Sequence, residues 1–568
     1  MKKMLFLLLF CMIPLKGLTF NELDKNLTTY YVKNNVKGES VKIDELVWLR
    51  RIYIDLAGRI PTLKEITEFS KNKDIDKKEK VIDKILFSED YVNNFYNFWA
   101  DMLRIRPERL SDDVGQLKSY PYMDYVKDFI RTDKPYNVFV NELLTAKGRY
   151  TDNPATGYML RDNGMPLDNL ATTLQLFVGR DVACSQCHDD PFQDYTQKQF
   201  YEMAAFFTTL DNREPRKEYG TIIKRVDNEI KEITKLDRID NNVRQLLASN
   251  LFNLKDNDSK IIHLPHDYKY PDAKPLDAVS PVSMDGKIKN VDKNKRDTIS
   301  KWIVEHPNFS NTIVNRLWSH FVGKPLVVPQ TNFDIKDYPE GIVVKYLGDY
   351  LKANNYNLKS LVRHIVLSDF YNRNAYRGNY DDYRFQAILV QRMSAYQLWD
   401  SILSFIIPDV NYSRVSFSKY SDLIELDWNS ITGKDLLDRV KQIREYDQTI
   451  NKNFLRYKNI ELVRSTYVLN RNGFVGQFIK EYGGSDRILI DTTNDKGSIT
   501  QVLVVMNSPI IELLTDKKSL IKNLSKNDLF LSTLTRNPTI NERDVISKTE
   551  ENDLIWSLIN TREFLFKK

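Results

Sequence analysis

The chain has 568 residues, enough for two to four domains, and 42% of them are hydrophobic, so it can bury large cores. Its formal net charge is +6, of which Lys2, Lys3 and Lys16 in the N-terminal segment supply three, leaving a remainder close to neutral for this length. That balance excludes a nucleic-acid partner recognised by bulk charge.

Lys2 and Lys3 followed by the apolar run Met4 to Leu15 read as a secretory signal over residues 1–17. The run is too short to span a bilayer, and no later run is long and apolar enough to do so. Gly17 can precede the cut, although Leu15 and Lys16 do not form a small-x-small site. Cys11 leaves with the signal, and bulky Phe10 spoils a lipidation box there. The expectation is a soluble protein exported to the periplasm or beyond, with no transmembrane segment.

The mature chain reads as mainly α: a multi-helix N-terminal domain over 40–210, a polar linker region over 211–297, and a second mainly helical domain over 298–568. Glu45 to Leu56 is amphipathic and stops at Gly58. Thr62 and Glu65 form a capping box for the next helix. Lys77 to Ile105 predicts one or two more helices, rich in Phe, Tyr and Trp. Pro121 to Gly148 predicts a helical pair broken at Lys134-Pro135. Residues 151–167, with Pro154, Gly157, Gly164 and Pro166 as breakers, predict a loop.

Next comes Cys184-Ser185-Gln186-Cys187-His188, which holds the only cysteines left after export. C-x-x-C-H is the attachment signature of a c-type haem. Two thiols on one turn can each add to a vinyl group of one porphyrin. The following imidazole is then placed to ligate the iron, making His188 the proximal ligand. Upstream, Asp168 is placed to cap a helix carrying Leu170, Leu174, Phe177 and Val178, with Gly179 at its end. Downstream, Thr196 and Gln199 form a second capping box ahead of Phe200, Met203, Ala204 and Phe207. Two other readings stay open. The pair can be a disulfide in an exported protein, or half of a zinc site, which would require two ligands from elsewhere because no second cysteine pair exists.

The linker predicts helical segments over Tyr219 to Leu254, then loops and short strands. His263 and His266 lie in those loops, with Pro265 between them, an extended setting that argues against a metal pair. The second domain predicts helices over Asn308 to Phe321, Leu358 to Leu367, Phe385 to Phe405 and Asn552 to Phe566, with a capping box at Thr539 and Glu542.

Several stretches carry a family resemblance. Arg50-Arg51-Ile52-Tyr53-Ile54-Asp55-Leu56-Ala57-Gly58-Arg59-Ile60-Pro61-Thr62 resembles the opening of the planctomycete cytochrome-c-like exported family, domain of unknown function 1549. Lys134-Pro135-Tyr136 with Glu142 to Ala146, and Cys184 to Phe192 with Ala204 to Phe207, resemble the same domain. Val314 to Trp318 with His320 to Gly323, Met506-Asn507-Ser508-Pro509, and Trp556 to Phe566 resemble its companion, domain of unknown function 1553. Members often carry cysteines before the Met-Asn motif; the matching segment Arg487 to Gly497 has none. The resemblance covers nearly the whole mature chain and names no reaction.

A haem would need a sixth ligand or leave that position open. His320 sits beside Trp318 on an apolar face and is one distal candidate. Met159 and Met165 in the 151–167 loop, and Met203 on the following helix, are others, although a Met at helical spacing is ordinarily core. His306 and His364 have no special setting. Asp189, Asp190 and Asp194 can orient His188 or poise a propionate, or they are solvated turn residues. No Ser-His-Asp spacing, phosphate loop or His-Glu-x-x-His motif appears, so no catalytic residue is assigned. Two function classes follow. One is an exported c-type cytochrome with a redox protein partner. The other is a non-redox exported scaffold or surface-polymer-binding protein stapled by Cys184–Cys187.

Overall fold

The computed structural model describes residues 21–37, 41–110, 117–213, 216–236, 238–289, 291–413, 417–490, 493 and 498–568. The signal segment, with Cys11, and most of 491–497 lie outside the described residues. The fold is mainly helical, with a few short antiparallel strand pairings. No described helix is long and apolar enough to cross a membrane.

The first motif helix forms as its pattern dictates. Asp44 accepts the Leu46 N–H at 2.8 Å, and the helix Glu45–Ile52 follows. It then widens into a π turn, Tyr53–Ala57, and stops at Gly58 with φ +71°. A Cβ at Gly58 would lie 2.7 Å from Asn94 Oδ1, so both conformation and space demand glycine there. The capping boxes at Thr62–Glu65, Thr196–Gln199 and Thr539–Glu542 all form. Helices Lys77–Leu86, Glu89–Met102, Tyr120–Thr132 and Tyr136–Thr145 follow the predicted order, with the break at Asp133 to Pro135. Across that break Phe129 and Phe139 stack at 3.8 Å.

Four expectations need correction. Residues 151–167 are not simply a loop: Pro154–Thr156 and Gly157–Leu160 are short helical turns, and Met159 and Leu160 are fully buried. The helix ahead of the cysteines starts at Pro166, where a proline needs no N–H partner, so Asp168 lies in its first turn instead of capping it. Residues 385–394 are not helical. Phe385 has φ +57°, and Gln391–Arg392 pairs with the terminal strand Phe566–Lys567, leaving the helix to Ala395–Ser404. That strand also ends the last helical stretch early, at Glu551–Ile559 and Arg562–Leu565.

The polar linker folds onto both flanking regions. Phe252 and Leu254 point inward and alternate with more exposed Asn253 and Lys255, a period of two. That strand, Phe252–Asp256, is the centre of a three-stranded antiparallel sheet between Gly148–Arg149 and Leu210–Arg213. The helix Arg216–Thr234 packs against Gly433–Asn453 of the C-terminal half.

The two halves interlock through the charges of the first motif. Arg50 donates to the carbonyls of Thr533 (2.7 Å) and Phe564 (2.8 Å). Arg51 donates to those of Lys568 (2.8 Å), Arg373 (3.0 Å) and Tyr371. Asp55 accepts from Lys567 Nζ at 2.7 Å and from the Tyr371 hydroxyl. Arg59 pairs with Glu65 and Asp90, both at 2.8 Å. From the other side Arg464, with a fully buried side chain, reaches Asp400 at 2.9 Å, Asp90, and the carbonyl of Ala57. Burial would raise the Asp90 carboxyl, but the guanidinium groups of Arg59 and Arg464 outweigh it and hold it well below the usual range. The helix Asn21–Lys33 completes the interlock by packing on Gly341–Ala353.

Two predictions follow from these buried charges. Arg464→Met strands the buried Asp400 carboxylate, and removing one member of such a pair costs about 3–5 kcal/mol. A lowered urea midpoint checks this, and Asp400→Asn added to Arg464→Met recovers part of the loss. Lys127 is buried under the rings of Tyr467 (3.6 Å) and Tyr96 (4.9 Å), and burial lowers its pKa from 10.5. The unfolded chain therefore holds that proton to higher pH than the folded one, and stability from this site rises with pH across that window. Lys127→Met raises the melting temperature most at neutral or lower pH, and thermal scans show the gain shrinking as pH approaches 10.

Candidate functional site

The cysteine motif opens on a 3-10 turn, Ala183–Gln186, which Cys187 caps and His188 follows, between the helical stretch that ends at Val178 and the helix Gln197–Ala204. Cys184, Cys187 and His188 are all exposed, and the two thiols are free of each other. Beneath them Ser185 is fully buried and donates to the carbonyl of Tyr195 at 3.3 Å. Gln197 donates to the carbonyl of Gln186 at 3.2 Å. The turn is thus pinned from below while its three reactive side chains face outward.

The two adjacent aspartates hold the loop. The Asp189 carboxylate accepts the Gln197 N–H at 2.8 Å, at the start of the next helix. The Asp190 carboxylate accepts from Phe192 N (2.8 Å) and Gln193 N (3.1 Å), an Asx-type closure. Asp194 is exposed. What orients His188 is a backbone group: its Nδ1 lies 2.8 Å from the carbonyl oxygen of Asp189. A carbonyl only accepts, so Nδ1 carries the proton and Nε2 is left as the basic nitrogen, the arrangement that suits a metal-bound imidazole. The linker reaches this loop too, because the Asp189 N–H donates to the Tyr270 hydroxyl at 2.8 Å.

This donor set fits a c-type haem at the attachment end. Two outward thiols and a tautomer-fixed imidazole share one turn, and a porphyrin brings four nitrogens of its own. Among the described residues no three His, Cys, Asp or Glu side chains gather as a metal-ligand group, so the turn offers only part of the set that zinc requires. Behind the turn the core is filled. Leu170, Val182, Phe200, Met203 and Met284 enclose a void of only about 10 Å³, about the space of one water. Phe192 lies outside, 84% exposed.

The remaining candidates are dispersed. Met159 and Met203 are buried and Met165 is 43% exposed. His320 is half-buried between the rings of Phe95 (5.7 Å) and Phe98 (5.4 Å). It lines a separate cavity of about 480 Å³ at the seam of the two halves, whose lining includes none of the motif-turn residues. His263 bonds the carbonyl of Leu276 in a two-stranded pairing, and His266 is exposed. His306 accepts the Asn308 N–H at 3.1 Å, and His364 stacks on Tyr350 at 4.1 Å; burial pushes both down to about 4. Both are neutral structural groups at physiological pH.

The sequence reading missed the seam cavity. One signal was available: Asp55, a carboxylate inside the apolar run Ile54 to Ala57, which the fold buries against Lys567 at the cavity wall.

Residues 22–212 match the model of a protein of unknown function (DUF1549), and residues 295–549 match that of a second protein of unknown function (DUF1553). No curated protein and no solved structure matches the chain.

Two outcomes are expected at the turn. In chain produced without haem attachment, native-state alkylation read by peptide mass spectrometry labels Cys184 and Cys187 within minutes, because both are exposed. Asp190→Ala removes two loop hydrogen bonds, and hydrogen exchange over 190–195 accelerates while that of the helix Gln197–Ala204 changes little.

Proposed function

The chain belongs to the family in which a DUF1549 domain is followed by a DUF1553 domain, and we propose that it is an exported protein carrying one covalent c-type haem. It would serve as an electron carrier or redox subunit for a protein partner in the periplasm. The observation that supports this reading is the outward presentation of Cys184, Cys187 and His188 on one pinned turn, with His188 Nε2 left as the basic nitrogen.

Cys184 and Cys187 would hold the group by thioether bonds, and His188 would ligate it through Nε2. When bound, the haem supplies one-electron transfer at a potential set by its axial ligands, the hydrogen bonding around them and its exposure. The chain's own residues do the positioning. The Asp189 carbonyl holds the imidazole tautomer, and the Asp189 and Asp190 carboxylates tie down the loop that follows by accepting its backbone N–H groups. The core beneath the turn is closed and the three side chains that would hold the group face the outer surface, an arrangement suited to exchanging electrons with another protein. No sixth ligand is assigned: Met203 lies in the closed core beneath the turn, and His320 lines the separate seam cavity.

A pyridine haemochrome spectrum on chain from a host with c-haem maturation tests the reading. A c-type signal at about one haem per chain is expected, lost in Cys184→Ala/Cys187→Ala. His188→Ala keeps covalent haem with an altered spin state. Absence of haem overturns the proposal and leaves the non-redox alternative, an exported scaffold or surface-polymer-binding protein with Cys184–Cys187 as a staple.

A further inference from the structure

The cavity of about 480 Å³ at the seam falls in the size range of small-molecule sites, roughly 300–1,000 Å³. Its wall is assembled from separate parts of the chain: the first motif, the helix Glu89–Met102, the helix Asn308–Val322, the stretch 389–397 and the C-terminal strand. A joint between two halves serves stability best when close-packed. This one instead keeps a void bordered by buried charge.

Asp55 and Lys567 form an ion pair at 2.7 Å with exposures of 1% and 3%. Asp101 accepts from Arg487 at 2.7 Å and from the Tyr396 hydroxyl at 2.9 Å. Arg316 and Arg392 also border the void, anchored by the carbonyls of Gln175 (2.9 Å) and Tyr482 (3.2 Å). Charges of both signs held out of water at the edge of a void are costly, and they are characteristic of recognition sites.

The lining also narrows the ligand class. A purely apolar molecule would cover these polar groups without adding a hydrogen bond to any of them. A phosphate-rich anion would meet the carboxylates of Asp55 and Asp101, and a polycation would meet Arg316, Arg392 and Lys567. A neutral molecule rich in hydroxyls matches both signs, because each hydroxyl donates to carboxylates and amide oxygens and accepts from guanidinium and amide N–H groups. The rings of Phe98, Tyr380, Tyr396 and Phe566 add apolar faces for its C–H edges.

We propose that the seam cavity formed by Asp55, Asp101, Arg316, Arg392 and Lys567 is a binding site for a neutral mono- or disaccharide. The site is separate from the Cys184–His188 turn and does not depend on haem attachment.

Two variants on the lining test it with little risk to the fold. Tyr380 is 58% exposed and Gln330 is half-buried, and neither belongs to the buried ion pairs. The probes are glucose, galactose, mannose, N-acetylglucosamine and their 1,4-linked disaccharides, titrated into the full exported chain by calorimetry and saturation-transfer NMR, with inorganic phosphate as control. The expected result is saturable binding of at least one sugar. Tyr380→Ala and Gln330→Ala each weaken it by about tenfold with unchanged melting temperature, while Cys184→Ala/Cys187→Ala leaves it intact. The proposal is overturned if no sugar binds, if phosphate binds in preference, if both variants bind like the parent, or if binding follows the cysteines.

Discussion

The fold depends on one constraint: the charges of the motif around Arg50–Arg59 must be satisfied once they are buried. Arg50, Arg51, Asp55 and Arg59 are each less than a tenth exposed. An unpaired buried charge costs several kcal/mol, and half of the partners named above come from the far end of the chain. Thr533, Phe564, Lys567 and Lys568 supply them, with Arg464 closing the network through Asp90 and Asp400. The motif is therefore a clasp between the start and the end of the sequence, and neither half meets its hydrogen bonds without the other.

That clasp explains two irregularities. The π turn Tyr53–Ala57 at the end of the motif helix places Asp55 in reach of Lys567 and the Tyr371 hydroxyl. The strand Phe566–Lys567 takes Phe566, the last residue of an expected helix, because pairing with Gln391–Arg392 carries Lys567 Nζ to Asp55. The same closure leaves a polar void at its edge, so the proposed saccharide site is built from the device that joins the halves.

Much of this was legible in the sequence where the signal is local. The capping boxes at Thr62, Thr196 and Thr539 were readable because cap and partner lie three residues apart, and all three form. The Cys184–His188 turn was readable as a constellation for the same reason. What was not legible is long-range. Nothing near Asp55 in sequence announces Lys567, and nothing near Phe252 announces strands at Gly148 and Leu210. Residues 385–394 read as helix from apolar content, but the pairing with the chain terminus and the left-handed Phe385 decide otherwise. The role of the Asp189 carbonyl was also invisible, because composition points to carboxylates while the imidazole is held by backbone.

The account rests on the turn being built to carry a covalent group, and peptide mapping by mass spectrometry of the chain matured in an exporting host tests that most directly. The account predicts that the peptide spanning Cys184 and Cys187 carries one haem through both sulfurs, with the rest of the chain unmodified. Recovery of that peptide as free thiols or as a Cys184–Cys187 disulfide, from a host that matures other c-type cytochromes, would contradict it.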